Sequence, residues 1–154
     1  MKIRAFKLSD IIDVAELISA TYKTFNKNEG SKKAVEQYLE YYNPKNNFDR
    51  IKEKFLKSSI FFVAEENGKI IGVARGTESK LVNLFVEGKL HGQGIGQKLM
   101  EKYERKATTL GSKVIKLNAS MYAVPFYKKI GYQKSTGIRN LFGLKVQPMK
   151  KYLN

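Results

Sequence analysis

The stretch Leu81-Val-Asn-Leu-Phe-Val-Glu-Gly-Lys-Leu-His-Gly-Gln-Gly-Ile-Gly-Gln-Lys-Leu-Met100 carries most of the information about the fold. It starts as a short apolar strand, passes through a glycine-rich loop from His91 to Gly96, and continues as an amphipathic helix. Glycines allow backbone N–H groups to converge on one point, because no Cβ blocks the approach. The first turn of the helix adds free N–H groups and the positive end of its dipole. This pattern predicts a cradle for a phosphate or pyrophosphate group.

Two other phosphate-binding loops do not fit the residues. The P-loop pattern G-x-x-x-x-G-K-[ST] is absent from the chain. A dinucleotide loop of the form G-x-G-x-x-G would need glycine where Gln97 stands, and an acidic residue about 20 positions later. The next predicted strand instead ends in Asn118-Ala119, which has no carboxylate to bind a ribose.

A second segment, Val114–Tyr132, joins a strand to the sequence Ser120-Met-Tyr-Ala-Val-Pro-Phe-Tyr127, followed by Gly131-Tyr132. Together the two segments resemble motifs A and B of the GNAT superfamily of N-acetyltransferases, Q/R-x-x-G-x-G/A and N-x-x-A-x-x-F-Y. His91 replaces the usual Arg or Gln of the first motif, and Ser120 replaces the usual Asn of the second. The resemblance extends weakly from Ile3-Arg4 to Leu153, so it covers essentially the whole chain.

The resemblance implies a single acyl-CoA-dependent N-acetyltransferase domain over residues 1–154. Its fold would be α/β, a GNAT-like mixed and mostly antiparallel sheet flanked by helices, with a splayed parallel pair of central strands at 80–86 and 114–117. Acetyl-CoA would be the co-substrate, with its pantetheine arm in the gap between those strands. The implied cofactor-binding residues are Leu84, Phe85, Val86, His91, Gly92, Gln93, Gly94, Ile95, Gly96, Gln97 and Ser120. The His91 side chain itself is expected to be an exposed loop residue without a catalytic role.

The resemblance also places Tyr127 where a phenol can protonate the departing thiolate of coenzyme A. The general base stays open between Glu78, Glu87 and a water molecule. Tyr22, Arg75 and Asn83 could contact the acceptor, although a structural role is the stronger expectation for each. The acceptor would be a small-molecule amine or a protein amino group.

Composition excludes several kinds of chemistry. The chain has no cysteine and one histidine, which excludes disulfides, a thiol nucleophile and a multi-histidine metal site. No metal site is expected. The net charge of +15 favours anionic ligands such as coenzyme A and disfavours polycationic acceptors. The lysines look scattered and no nucleic-acid-binding motif is present, so nucleic acid is not the expected partner. The absence of an apolar segment long enough to span a membrane, or of a signal-peptide pattern, predicts a cytoplasmic protein.

Local patterns predict the remaining elements. A strand is expected at 2–6, a helix capped by Ser9 and running to Phe25, and two further helices between residue 35 and residue 55. Asn67-Gly68 between two apolar runs predicts a β-hairpin. A helix from Gly94 should end at Gly111, and strands at 132–133 and 144–152 should complete the sheet.

The function predicted from these features is direct transfer of an acetyl group to a primary amine in a ternary complex, with a tyrosine as general acid. One alternative enzyme would use a longer acyl-CoA or modify a protein terminus. The alternative from another class is a GNAT-like module that binds acyl-CoA without turnover. The sequence leaves open whether the chain forms a homodimer.

Overall fold

Eight strands form two half-sheets, and five helices cover them, in a computed structural model that describes residues 1–154. In chain order the elements are β1 Lys2–Ala5, α1 Ile11–Phe25, α2 Lys32–Tyr41, α3 Pro44–Leu56, β2 Ile60–Glu66, β3 Lys69–Gly76, β4 Leu81–Val86, α4 Ile95–Thr109, β5 Val114–Ala119, α5 Val124–Lys129, β6 Gln133–Lys134, β7 Arg139–Leu141 and β8 Leu144–Tyr152. None of the helices is both long and apolar enough to traverse a bilayer.

The first half-sheet has the order β1-β2-β3-β4, with every neighbour antiparallel. The second has the order β5-β8-β6, and β7 also pairs with β8. A single parallel bridge between Lys80 and Lys116 connects the two half-sheets. The mixed, mostly antiparallel sheet predicted from the sequence is therefore confirmed.

Two hydrophobic clusters hold the helices on opposite faces of the first half-sheet. Along β3, Ile71 and Ala74 belong to one cluster, and Ile70 and Val73 belong to the other. The strict alternation of a strand is broken there by a register shift opposite Ala64 and Glu65. The first cluster contains the apolar face of α4 and the core of β5: Leu99, Met100, Tyr103, Ala107, Ile115 and Leu117. The second contains the apolar faces of α1 and α3: Ile11, Val14, Ile18, Ile51 and Phe55.

The start of α1 differs from the prediction. Ser9 does not cap the helix, because it lies inside a short 3₁₀ turn at Leu8–Asp10. Asp10 precedes α1 and makes no side-chain hydrogen bond to its first turn: its carboxylate accepts from the Lys7 backbone N–H at 2.9 Å and pairs with the Arg4 guanidinium at 2.8 Å. The ion pair thereby fastens the helix start to β1.

The two tight hairpins of the chain use turns of the same kind. The predicted Asn67-Gly68 turn joins β2 to β3, with φ angles of 51° and 77°. The second, Phe142-Gly143, joins β7 to β8 with φ angles of 52° and 95°. The sequence did not predict β7 or its turn, because phenylalanine rarely adopts a left-handed conformation.

Candidate functional site

A cavity of about 350 Å³ opens in the gap between β4 and β5. Every residue of the predicted cofactor-binding set except Gln93 lines it, and so does Tyr127. Gln93 lies in the same loop, with its side chain exposed. The two sequence motifs, which are separated along the chain, therefore meet in one space.

The gap exists because β4 and β5 touch at one end only. There, the Lys116 N–H donates to the Ser79 carbonyl at 2.9 Å. The Tyr103 hydroxyl closes the same end through the Thr77 and Lys80 carbonyl oxygens, at 2.5 and 3.1 Å. Further along, the strands diverge and no pairing crosses between them.

The edge of β4 that borders the gap directs backbone groups toward the cavity, and of these only the Val86 carbonyl is bonded, to His91 Nε2. The Glu87 N–H donates to the Ile71 carbonyl of β3 at 2.9 Å. Bonding alternates along an antiparallel strand, so Phe85 also faces β3 while the N–H and C=O groups of Leu84 and Val86 face the gap. Of the three backbone positions expected to bind pantetheine, Leu84 and Val86 have the suitable orientation, and Phe85 contributes to the second hydrophobic cluster.

The glycine loop leads directly into α4. Gly92 and Gly94 have φ angles of 83° and 81°, in the left-handed region that favours glycine. The first helical hydrogen bond runs from the Lys98 N–H to the Gly94 carbonyl, so the N–H groups of Ile95 and Gly96 have no acceptor in the helix. Free amides at the positive end of a fifteen-residue helix fit a pyrophosphate.

His91 differs from the exposed loop residue that was expected. Its ring is half-buried, and Nε2 lies 2.6 Å from the Val86 carbonyl oxygen. Nδ1 lies 3.3 Å from the Tyr122 hydroxyl, and the ring packs 4.6 Å from that of Phe25. His91 therefore links the end of α1 and the segment after β5 across the mouth of the cavity.

Tyr127 lies in the first turns of α5, where Pro125 occupies an early position suited to its missing N–H. Its ring packs against Phe126 and Tyr132, with centroids 5.3 and 5.6 Å away. Every fully buried polar side-chain atom has a hydrogen-bond partner, whereas the Tyr127 hydroxyl has none within the chain. The hydroxyl is therefore not fully buried, and because Tyr127 lines the cavity, we infer that it opens there. Burial raises the pKa of Tyr127, which keeps the phenol protonated at neutral pH.

Ser120 lines the cavity and also caps the turn that precedes α5. Its Oγ accepts from the Ala123 N–H at 3.3 Å, which occupies a lone pair of the hydroxyl. The hydroxyl proton remains able to donate to a ligand. The substitution of serine for the asparagine of the motif thus keeps one hydrogen-bond donor at this position.

No carboxylate lines the cavity. Glu87 pairs with Lys69 at 2.9 Å. Glu78 accepts from the Ser59 hydroxyl at 2.9 Å, and hydrogen bonds from its own backbone N–H and from Ser59 lower its pKa. The structure therefore brings neither proposed base to the cavity.

Glu29 is an acidic residue near the site that sequence reasoning missed. Its carboxylate accepts from the backbone N–H groups of Met121 and Tyr122, and from Asn26 Nδ2 at 2.8 Å. Asn26 and Tyr122 both line the cavity, as do Thr21 and Phe25. No local pattern marks these residues, because their role depends on α1 ending beside the turn after β5.

The three residues considered for acceptor contact lie in or beside a buried polar cluster outside the cavity lining. Arg75 donates from Nε to Asn83 Oδ1 at 2.8 Å and approaches the Tyr42 hydroxyl at 3.4 Å. Tyr22 stacks on Tyr38 with centroids 3.9 Å apart. Burial, and then the charge of Glu29, raise the pKa of Tyr22 to about 12. These contacts support a structural role for all three.

Comparison with known proteins agrees with the motifs. Residues 26–153 match the sequence profile of the acetyltransferase (GNAT) domain. An uncharacterized N-acetyltransferase of Methanocaldococcus jannaschii is 25% identical over 89% of this chain, and the match spans 62% of that relative's length.

Solved structures share the fold along almost the whole chain. A GCN5-related N-acetyltransferase from Rhodopseudomonas palustris has a TM-score of 0.82 at 19% identity, covering 99% of this chain and 95% of that one. The PaiA N-acetyltransferase of Thermoplasma acidophilum, in complex with coenzyme A, has a TM-score of 0.75 at 19% identity, covering 98% of each chain.

Proposed function

We propose, from the premise that the chain belongs to the GNAT family of acetyltransferases, that it transfers an acetyl group from acetyl-CoA to a primary amine. The observation that carries the proposal is the meeting of two features in one cavity. Unbonded amides of the glycine loop and α4 can receive a pyrophosphate, and the free, protonated hydroxyl of Tyr127 opens into the same space.

The residues present fit the pyrophosphate and pantetheine parts of coenzyme A. The loop from Gly92 to Gln97 would hold the pyrophosphate. The outward N–H and C=O of Leu84 and the N–H of Val86 would bind the pantetheine amides as a neighbouring strand would, because the Val86 carbonyl already accepts from His91. The Ser120 hydroxyl would donate one further hydrogen bond. The positive field of the protein would concentrate this polyanionic substrate near the cavity.

In the proposed reaction the neutral amine attacks the thioester carbonyl carbon directly. A carbon–nitrogen bond forms, the carbon–sulfur bond breaks, and the electron pair of that bond leaves with sulfur. Tyr127 donates its phenolic proton to the departing thiolate, which leaves as the thiol. The proton that the amine loses passes to water, which then supplies the proton that Tyr127 gave up. A water base is proposed because no carboxylate lines the cavity.

A panel of primary amines with acetyl-CoA, monitored by release of free thiol, tests the proposal. Turnover with an amine, and its loss in Tyr127→Phe, would support it. Binding of coenzyme A without turnover of any amine would favour the alternative, a non-catalytic acyl-CoA-binding module. Failure to bind coenzyme A would contradict both functions.

A further inference from the structure

The outer edge of the second half-sheet is exposed and consists of two short strands, β6 and β7. Residues 133–142 run through β6 and β7 to the hairpin turn, and every one of them is exposed. Three are large and apolar: Ile138 is 59% exposed, Leu141 36% and Phe142 96%. Short strands and charged side chains limit non-specific pairing at such an edge, so a strand that adds here would need complementary charge.

Phe142 contributes little to the fold. Asn67 and Phe142 are the only non-glycine residues with positive φ, and each occupies the same position of an equivalent hairpin turn. Asparagine tolerates this conformation, whereas phenylalanine is strained in it. Phe142 also buries almost none of its ring. A strained and exposed aromatic side chain indicates a role outside the fold.

The part of the chain that contains this edge carries charge of one sign. Eleven of the 29 Lys and Arg residues, and none of the 14 Asp and Glu residues, follow Glu104. The last fifty residues therefore carry +11 of the net +15, although the lysines look scattered along the whole chain. Lys134 and Arg139 lie on the edge itself, and Lys145 lies beside it on β8.

The backbone of β7 is available for pairing. Leu141 and Leu144 flank the two-residue turn and bond to each other, so the alternation along the strand directs the N–H and C=O of Asn140 away from β8. The amide of Asn140 thus faces the open edge.

We propose that this edge binds an extended acidic polypeptide, which adds as a strand beside β7 while its apolar side chains contact Phe142 and Leu141. The docking role is independent of acetyl transfer. Strand addition uses the free backbone groups, and the carboxylates of the partner complement Lys134 and Arg139. A second copy of the chain would bring two edges of the same charge together, and nucleic acid cannot use the backbone groups of a strand edge.

The probe is a fluorescein-labelled peptide of ten residues that alternates glutamate with valine, compared with the same peptide carrying lysine in place of glutamate. Fluorescence anisotropy with the full chain should show binding of the acidic peptide only. Phe142→Asn restores the favoured Asn-Gly turn, so it should keep or raise the Tm while weakening binding by at least about tenfold, the loss typical of an aromatic anchor. Its matched control, Asn67→Phe, exposes an aromatic ring at the other turn and should lower the Tm without changing peptide affinity.

Hydrogen exchange at the Asn140 amide separates strand addition from diffuse charge attraction, because only pairing slows it. Four outcomes would overturn the proposal: no binding of the acidic peptide at millimolar concentration, equal binding of both peptides, preferential binding of a single-stranded RNA oligonucleotide, or dimerisation that protects the Asn140 amide without peptide. Phe142→Asn should retain the wild-type acetylation rate, so failure of this proposal is distinguishable from failure of the proposed enzymatic function.

Discussion

A tyrosine hydroxyl lies at each end of the gap between β4 and β5, and the two ends differ in whether their polar groups have hydrogen-bond partners within the chain. At the closed end, the Tyr103 hydroxyl is satisfied by two backbone carbonyls, and a parallel bridge joins the strands. At the open end, the Tyr127 hydroxyl bonds to nothing in the chain, and the first amides of α4 have no acceptor. Folding thus satisfies the polar groups at one end and leaves those at the other end for a ligand.

Acidity does not distinguish the two tyrosines. Burial raises the pKa of both phenols, with a further contribution from the charge of Glu78 at Tyr103. Both are therefore neutral at physiological pH. Only hydrogen bonding and access to the cavity separate a structural phenol from a proposed acid, and substitutions at the two positions test that distinction.

The largest expected effect is on turnover. Tyr127→Phe keeps the packed ring and removes only the phenolic proton, so it should slow acetyl transfer by about 10²–10⁴-fold, the typical contribution of general acid catalysis. This corresponds to roughly 3–5 kcal/mol of barrier. Tyr103→Phe should leave the rate of the folded enzyme nearly unchanged but lower the free energy of unfolding by about 1–3 kcal/mol, because the Thr77 carbonyl loses the hydroxyl that donates to it, while the Lys80 carbonyl keeps the Thr77 N–H. Steady-state rates at saturating acetyl-CoA and chemical denaturation measure the two effects.

If wild type and Tyr127→Phe have equal rates under conditions where the chemical step limits turnover, Tyr127 is only a packed core residue and not the general acid.

The pH profile gives an independent check. Because its pKa is raised above the ordinary value of 10, Tyr127 keeps its proton as pH rises through neutrality. A rate that falls between pH 7 and 9 in wild type, and no longer falls in the variant, would contradict the assignment.

The second effect concerns coenzyme A binding. Gly94 and Gly111 lie at opposite ends of α4, both have positive φ, and a Cβ at either would meet no protein atom within 4 Å. Alanine should therefore strain the backbone similarly at both positions. At Gly94 it would also block the approach of a phosphate to the loop, with a loss of roughly 1.5–3 kcal/mol for a charge-assisted hydrogen bond, or about 10–100-fold in Kd. Calorimetry showing the same affinity for both variants would exclude the loop from the binding site.

The third effect concerns stability at the closed end. A Cβ at Gly76 would overlap the Lys80 carbonyl oxygen and the Tyr103 hydroxyl, and would lie 2.9 Å from the Leu81 Cα. Gly76→Ala should therefore cost about 1–3 kcal/mol of unfolding free energy, as overpacking usually does. Gly137→Ala is the control, because its Cβ would meet open space without a positive φ. A Gly76→Ala protein as stable as this control would show that the closed end is loosely packed.

The sequence predicted those parts of the fold that depend on local chemistry. Asn67-Gly68 adopts the turn that its residues favour, and Gly111 ends α4 as a left-handed glycine. Phe142-Gly143 was missed because its first residue opposes the conformation that it adopts. Ser9 was wrong as a helix cap because it lies inside the 3₁₀ turn at Leu8–Asp10, which the ion pair between Asp10 and Arg4 of β1 holds in place.

The candidate site was predictable where two motifs carry it and not where tertiary contacts build it. The glycine loop was predicted from its residues and their spacing, and the segment ending in Tyr127 was predicted from its resemblance to a family motif. The contact from His91 to the Val86 carbonyl and the contacts of Glu29 join segments distant in sequence, so no pattern could indicate them. The gap itself followed only from resemblance to a family, because strand divergence leaves no periodic signal.

The smallest expected effect is electrostatic and tests whether the open end attracts coenzyme A through exposed charge as well as through backbone amides. Lys129 lines the cavity, and its exposed neighbour Lys128 does not. Exposed charge contacts contribute roughly 0.2–1 kcal/mol, so Lys129→Gln should weaken coenzyme A binding by at most about fivefold and reduce its dependence on salt. Lys128→Gln removes the same charge one residue away and should have a smaller effect on both. Screening shortens the range of such attraction from about 10 Å at 0.1 M salt to about 3 Å at 1 M, whereas hydrogen bonds to the loop amides persist. Affinity in wild type should therefore fall with salt to a plateau, and a Kd that does not change with salt would show that the backbone alone binds the ligand.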